Sequence, residues 1–128
     1  MNYSLAKKIL VIDDESMLRY TLRELLLDLG YEVVEASHGK EGLEILESSQ
    51  IDLVLLDMVM PVMSGMEVLY KMRDLQYQIP VVLSSGRARN LDLKELQDLG
   101  VEGVLKKPYR MSQLADLLGN IETLKVEP

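Results

Sequence analysis

The sequence predicts an α/β fold, a doubly wound five-stranded parallel sheet in the order 2-1-3-4-5. Five short apolar runs rich in Val, Ile and Leu each lead into a segment with helical hydrophobic period. The connections between them are short, and no linker, repeat or low-complexity segment interrupts the series. Such alternation calls for parallel strands joined by right-handed crossovers, with helices on both faces. The order 2-1-3-4-5 is the common choice for a chain of 128 residues, and it sets the first and third strands side by side.

Lys8-Ile9-Leu10-Val11-Ile12 is the first strand, closed by Asp13-Asp14-Glu15. Residues 16–29 follow as a helix, with Leu18, Leu22, Leu25, Leu26 and Leu29 at helical spacing and Gly30 as the stop. Residues 31–36 make a shorter, partly alternating strand, and 39–48 a second helix through Leu43, Ile45 and Leu46. Leu53-Val54-Leu55-Leu56 reads as a strand buried on both faces, and it ends abruptly on Asp57. Pro61 and Gly65 bound a loop, after which a helix over 66–75 turns Val68, Leu69 and Met72 inward. Residues 79–83 form the fourth strand, which runs out into a polar turn at Ser84-Ser85-Gly86. A brief charged helix occupies 91–99, and a fifth strand over 101–105 precedes Lys106-Lys107-Pro108. The last helix is amphipathic, opening on Ser112 as its cap and running to about residue 124.

Composition narrows the function. A hydrophobic content of 48% with 27% charged residues is that of an ordinary globular domain. The whole chain, 1–128, is expected to be one domain with a core over about 7–122. Without cysteine there is no disulfide framework, thiolate metal site or cysteine nucleophile, which fits a reducing, cytoplasmic setting. Neither a signal peptide nor a membrane span is legible. A net charge of −7 and a pI near 4.7 argue against direct nucleic-acid binding, because such a binder must offset phosphate charge.

Asp57 alone reads equally well as a turn or cap residue. The predicted strand order changes that, because Asp13, Asp14 and Asp57 converge at the carboxyl edge of the sheet, where ligands of open α/β sheets bind. Like charges at close range raise one another's pKa and cost stability unless a cation neutralises them. The cluster therefore predicts a divalent ion. Its ligands are all oxygen, with no His or Cys nearby in sequence, so Mg²⁺ is favoured and Mn²⁺ is the substitute. Strand four delivers Ser84 and Ser85 to this edge, and strand five delivers Lys106 and Lys107. Singly, a turn serine and a lysine before proline are structural residues. Together, each at the end of its own strand, they supply the hydroxyl and ammonium that bind phosphoryl oxygens beside a carboxylate nucleophile.

Asp13-Asp14, Asp57 with Met60-Pro61 and Gly65, Ser85, and Lys107-Pro108 recur in order at family-like separations, and the chain resembles a receiver domain of two-component response regulators. The resemblance covers nearly the whole chain and implies a flavodoxin-like (βα)5 fold. It implies that Asp57 accepts a phosphoryl group from a histidine kinase or histidine phosphotransfer protein. It also implies that Asp14 ligates Mg²⁺ directly, Asp13 mainly through water and Val59 through its backbone carbonyl, while Ser85 is the switch hydroxyl and Lys107 binds the phosphoryl oxygen. Ser85 is preferred to Ser84 because it stands five residues after Pro80 and directly before a small residue, and Lys107 is the lysine that precedes the proline. His38, the only histidine, is expected to be an ordinary exposed residue, and most of the eight methionines packing residues.

The sequence departs from the family at Val104, where many receivers carry the aromatic switch residue, so a signal is expected to travel by movement of the strand-four loop and helix four. Tyr109 takes a place often held by Phe and is expected to pack. Val59 and Arg87 occupy positions that tune the lifetime of the phosphoryl group, and the apolar Val59 is expected to slow hydrolysis. A downstream protein effector is expected on the face formed by helix four, strand five and helix five, without membrane insertion. Little sequence follows the last helix, consistent with a stand-alone receiver or one cut from a larger protein. Leu55-Leu56-Asp57-Met58-Val59-Met60-Pro61 looks similar to receivers attached to hybrid sensor histidine kinases. The alternative from another class is a haloacid-dehalogenase-like aspartyl-phosphate hydrolase. That chemistry needs an acid two residues after the nucleophile, where this chain has Val59. A flavin-binding domain of the same topology would place phosphate against Asp13-Asp14-Glu15 and is set aside.

Overall fold

The computed structural model describes residues 6–86 and 91–121. Five strands and five helices alternate as β1 (Lys8–Ile12), α1 (Ser16–Asp28), β2 (Glu32–Ala36), α2 (Gly39–Ser48), β3 (Leu53–Asp57), α3 (Gly65–Asp74), β4 (Val81–Ser85), α4 (Leu93–Asp98), β5 (Val101–Lys106) and α5 (Met111–Gly119). The strands form one parallel sheet in the order β2-β1-β3-β4-β5. This is the predicted doubly wound topology.

Alternation along each strand sorts the core into two layers. Ile9, Val11, Leu53 and Leu55 pack against Leu22 and Leu26 of α1 and Leu114 and Leu118 of α5. Their neighbours Leu10, Ile12, Val54 and Leu56 meet Leu46 of α2, Val68, Leu69 and Met72 of α3 and Leu96 of α4. Every residue of β3 is buried, including its terminal Asp57. A strand covered on both faces explains why its sequence is continuously apolar rather than alternating.

Several boundaries differ from expectation for local reasons. Leu29 lies past the end of α1 and is 45% exposed, and Gly30 turns the chain at φ 96°, a left-handed conformation natural only to glycine. Ser84 and Ser85 belong to β4 and not to a polar turn. Both are buried, and their carbonyls accept from Met58 N at 2.8 Å and Lys107 N at 2.7 Å, so neighbouring strands satisfy backbone that water would otherwise have to reach. Helix α4 is shorter than 91–99, because Asp92 caps it by accepting from Lys94 N and Glu95 N, both at 3.1 Å. Ser112 is not the cap of α5. Arg110 holds that position, and its N–H donates to Gln113 Oε1 at 2.7 Å. The expected continuation of this helix to residue 124 and the position of Arg87 lie outside the described residues.

Helix α4 buries only Leu96, and α3 adds polar contacts to it. Tyr70 donates its hydroxyl to Glu95 Oε1. Arg73 donates Nε to Leu99 O at 2.5 Å, Nη1 to Tyr77 O at 2.7 Å and Nη2 to Ile79 O at 2.9 Å. The planar guanidinium serves three carbonyls through three different nitrogens, a span that the single nitrogen of an ammonium does not cover. Arg73→Ala is expected to destabilise the fold by about 3 kcal/mol, since three partly buried acceptors lose a charged donor. Arg73→Lys should recover part of that loss, and urea unfolding of the two variants checks both.

Candidate functional site

Adjacent pairing of β1 and β3 brings the residue after Ile12 and the last residue of β3 to one edge. Asp13, Asp14 and Asp57 each present a carboxylate oxygen there, and these three oxygens lie within 4.8 Å of one another. Asp13 and Asp57 are buried, whereas Asp14 is exposed. Lys107, just past β5, reaches back over β4 to both buried acids. Its Nζ lies 3.1 Å from Asp13 Oδ2 and 3.4 Å from Asp57 Oδ2.

Backbone donors orient these side chains. Glu15 N donates to Asp13 Oδ1 at 2.9 Å, and Val59 N donates to Asp57 Oδ1 at 3.2 Å. Arg19 Nη1 donates to the carbonyl of Asp13 at 2.7 Å. The chain leaving Asp57 is pinned by Gly65, whose N–H donates to Met58 O at 3.0 Å. A Cβ at Gly65 would sit 2.3 Å from Asp57 O and 2.7 Å from Met58 Cα, so only glycine lets the start of α3 approach the strand end.

The electrostatics follow from burial. Desolvation pushes the Asp57 carboxyl above the usual carboxylate range; the Val59 N–H pulls it down, the charge of Asp13 pushes it up, and Lys107 opposes the rise. Burial works against the Lys107 ammonium, but the charges of Asp13 and Asp57 outweigh it and raise its pKa. Three carboxylates facing one ammonium leave this group of side chains two charges negative. An all-oxygen donor set with that deficit fits a hard divalent cation.

Ser85 is buried at the end of β4, with its carbonyl bound to Lys107 N, and the neighbouring Ser84 pairs in register with Asp57. The Val59 side chain is 60% exposed beside Asp57. Val104 is half-buried and packs against the core layer of α2, α3 and α4. His38 is exposed and caps α2, its Nδ1 accepting from Glu41 N at 3.2 Å. Tyr109 packs against the opposite layer, between α1 and α5. Among the described residues its buried hydroxyl has no hydrogen-bond partner, and burial pushes the phenol up to about 12, with the charges of Asp13, Asp57 and Glu15 adding to the rise.

Sequence reasoning missed Glu15 and Arg19. Glu15 acts through its backbone N–H, which carries no residue signature. Arg19 stands at the helical spacing of a solvated face, and only the fold turns it towards Asp13 O.

Three strand-end carboxylates and a lysine at the edge of a 2-1-3-4-5 sheet define a receiver-type signalling module. The model of the response regulator receiver domain family matches residues 9–119. The chain belongs to this family and is a receiver domain of two-component systems, and the match supports that reading rather than a hydrolase. It is similar to sporulation initiation phosphotransferase F of Bacillus subtilis, 31% identical over 119 residues, covering 93% of this chain and 96% of that protein. It is also similar to the autoinducer 1 sensor kinase/phosphatase LuxN of Vibrio campbellii, 31% identical over 88% of this chain but only 13% of the relative. Of DltR, a transcriptional regulatory protein of Streptococcus agalactiae, the chain spans about half the length, 48%. Among solved structures, chemotaxis protein CheY4 of Vibrio cholerae aligns with TM-score 0.82 and 29% identity, covering 91% of this chain and 98% of that one. TrrA of Thermotoga maritima, solved in complex with Mg²⁺–BeF, aligns with TM-score 0.77 and 31% identity, covering 88% and 96%. Receivers of this family work with histidine kinases or phosphotransfer proteins and bind Mg²⁺ at an acidic cluster. Among the described residues no helix is long and apolar enough to cross a membrane.

The orphaned phenol gives a direct test of the packing. Tyr109→Phe removes a buried polar atom that has no partner, so it is expected to leave the fold unchanged and raise stability by about 1 kcal/mol in denaturant unfolding. A loss of stability would mean that the hydroxyl is satisfied after all.

Proposed function

We propose that Asp57 is the phosphoacceptor of this receiver. The observation that carries the reading is its buried carboxylate, 3.4 Å from Lys107 Nζ and clustered with Asp13 and Asp14. In the transfer an Asp57 carboxylate oxygen attacks the phosphorus of a phosphohistidine, the P–N bond breaks, and the imidazole departs. Lys107 is placed to bind a phosphoryl oxygen, and Ser85, at the adjacent strand end, supplies the switch hydroxyl that is drawn in afterwards. Asp14 directly, Asp13 mainly through water, Asp57 and the Val59 carbonyl would hold Mg²⁺, with Mn²⁺ as a substitute. When bound, that ion supplies the charge that offsets the incoming phosphoryl oxygens.

The phosphodonor is a histidine kinase or a histidine phosphotransfer protein. Added charge at Asp57 biases an existing equilibrium of the β4–α4 connection and α4, which changes affinity for a protein effector on the face of α4, β5 and α5. Residues 1–128 act as one cytoplasmic receiver unit, whether alone or within a longer regulator or hybrid kinase. Its chemistry is limited to self-catalysed phosphotransfer and dephosphorylation.

Acetyl phosphate with MgCl₂ should give stoichiometric acyl phosphate on the wild-type protein and none on Asp57→Asn, read by intact mass. Rapid multiple turnover of phosphomonoesters would instead indicate a hydrolase. Chelating the metal with EDTA should abolish labelling. Val59, exposed and apolar beside Asp57, gives an attacking water no hydrogen-bond partner. Val59→Asn should therefore shorten the acyl-phosphate half-life several-fold, and an unchanged decay rate would sink this assignment.

A further inference from the structure

Arg19 is a half-buried cation on α1 that does not ion-pair with any of the three clustered acids. Its Nε lies 3.3 Å from Glu35 Oε1 on β2, while its Nη1 donates at 2.7 Å to the backbone carbonyl of Asp13. That carbonyl belongs to the peptide plane joining Asp13 to Asp14. Tilting the plane would re-aim both carboxylates together, so one hydrogen bond at this point governs the direction of two proposed cation ligands. The same turn is also held by Asp13 N donating to Ala36 O at 3.1 Å and by Glu15 N donating to Asp13 Oδ1 at 2.9 Å, while Arg19 holds its carbonyl. Glu35 is shared. Its Oε2 lies 3.8 Å from Arg23 Nη1, whereas the guanidinium that donates to the Asp13 carbonyl is that of Arg19.

We propose that Arg19, braced by Glu35, is a positioning residue that sets the aim of Asp13 and Asp14 at the cation site. This rests on the reading that the acidic cluster binds Mg²⁺. Two physical effects oppose each other here, and their signs differ. As a bare charge, Arg19 repels a cation held at neighbouring carboxylates, and removing it should tighten binding. As a brace, it holds the ligands in the binding geometry, and removing it should weaken binding. Groups that orient metal ligands from behind typically govern affinity by about tenfold or more. Glu35 already neutralises the guanidinium, so the positioning effect wins.

The test is an amide NMR titration of the intact protein with MgCl₂, which yields a dissociation constant without reference to phosphorylation. Arg19→Ala should raise that constant about tenfold, and Glu35→Gln should raise it by a smaller factor. Arg23→Ala, which leaves the Asp13 carbonyl contact in place, should not raise it. Labelling of Arg19→Ala by acetyl phosphate should return to the wild-type level once MgCl₂ is saturating. If Arg19→Ala fails to fold in EDTA, as judged by urea unfolding, Arg19→Lys, which keeps the charge and loses the guanidinium fork, carries the test and should also weaken binding. Unchanged or tighter Mg²⁺ binding in the variants, or equal weakening by Arg23→Ala, overturns the proposal. Absence of saturable binding in the wild-type protein would instead overturn the cation-site reading on which it stands.

Discussion

The ammonium of Lys107, shared between Asp13 and Asp57, is the constraint on which the pocket depends. Two carboxylates buried side by side are unfavourable as anions, since each loses water; burial and the charge of Asp13 both raise the pKa of Asp57. A single cation at 3.1 and 3.4 Å lowers that cost without abolishing it. The strand order makes this sharing possible. Lys107 leaves the end of β5 and the acids leave the ends of β1 and β3, with β4 lying between them. At a strand spacing of about 4.8 Å, one intervening strand is within the reach of a lysine side chain.

Burial on both faces makes the sheet rigid enough to hold like charges together. Asp57 closes a strand whose every residue is buried, and Gly65 admits α3 so close behind it that even a methyl group would strike the backbone. The carboxylate therefore cannot escape its neighbours by relaxing the chain. Core packing of Leu10, Ile12, Val54 and Leu56 against α2 and α3 fixes the strand ends, and repulsion among the acids is what remains for a bound cation to relieve.

Much of this was legible before any coordinates. Apolar runs ending in acids are a strong signal because burial writes them residue by residue, and the helical period of Leu18, Leu22, Leu25 and Leu26 is equally direct. Ser84 and Ser85 were misread as a turn because serine has turn chemistry locally, while their partners, Met58 N and Lys107 N, are set only by tertiary pairing. Asp92 and Arg110 outcompeted the expected helix starts for a similar reason: capping is decided by which side chain or backbone donor meets which neighbour. Arg19 and Arg73 left no trace in the pattern, because each acts on carbonyl oxygens, and every residue has one.

The identities of the basic residues follow from what each must do. Arg19 and Arg73 serve fixed acceptors: a carbonyl and a carboxylate for Arg19, three carbonyls for Arg73. A planar fork with donors in set directions suits partners that do not move. Lys107 faces a different demand, since the proposed phosphorylation of Asp57 would change the oxygens around it. A compact ammonium on a flexible stem can turn its three donors to whichever oxygens are present, keeping its grip on Asp13 while following Asp57. An arginine at position 107 would bind two carboxylates in one geometry and hold them there. The pocket thus combines guanidinium braces outside it with one ammonium inside, and only the latter stands where the proposed phosphorylation would add charge.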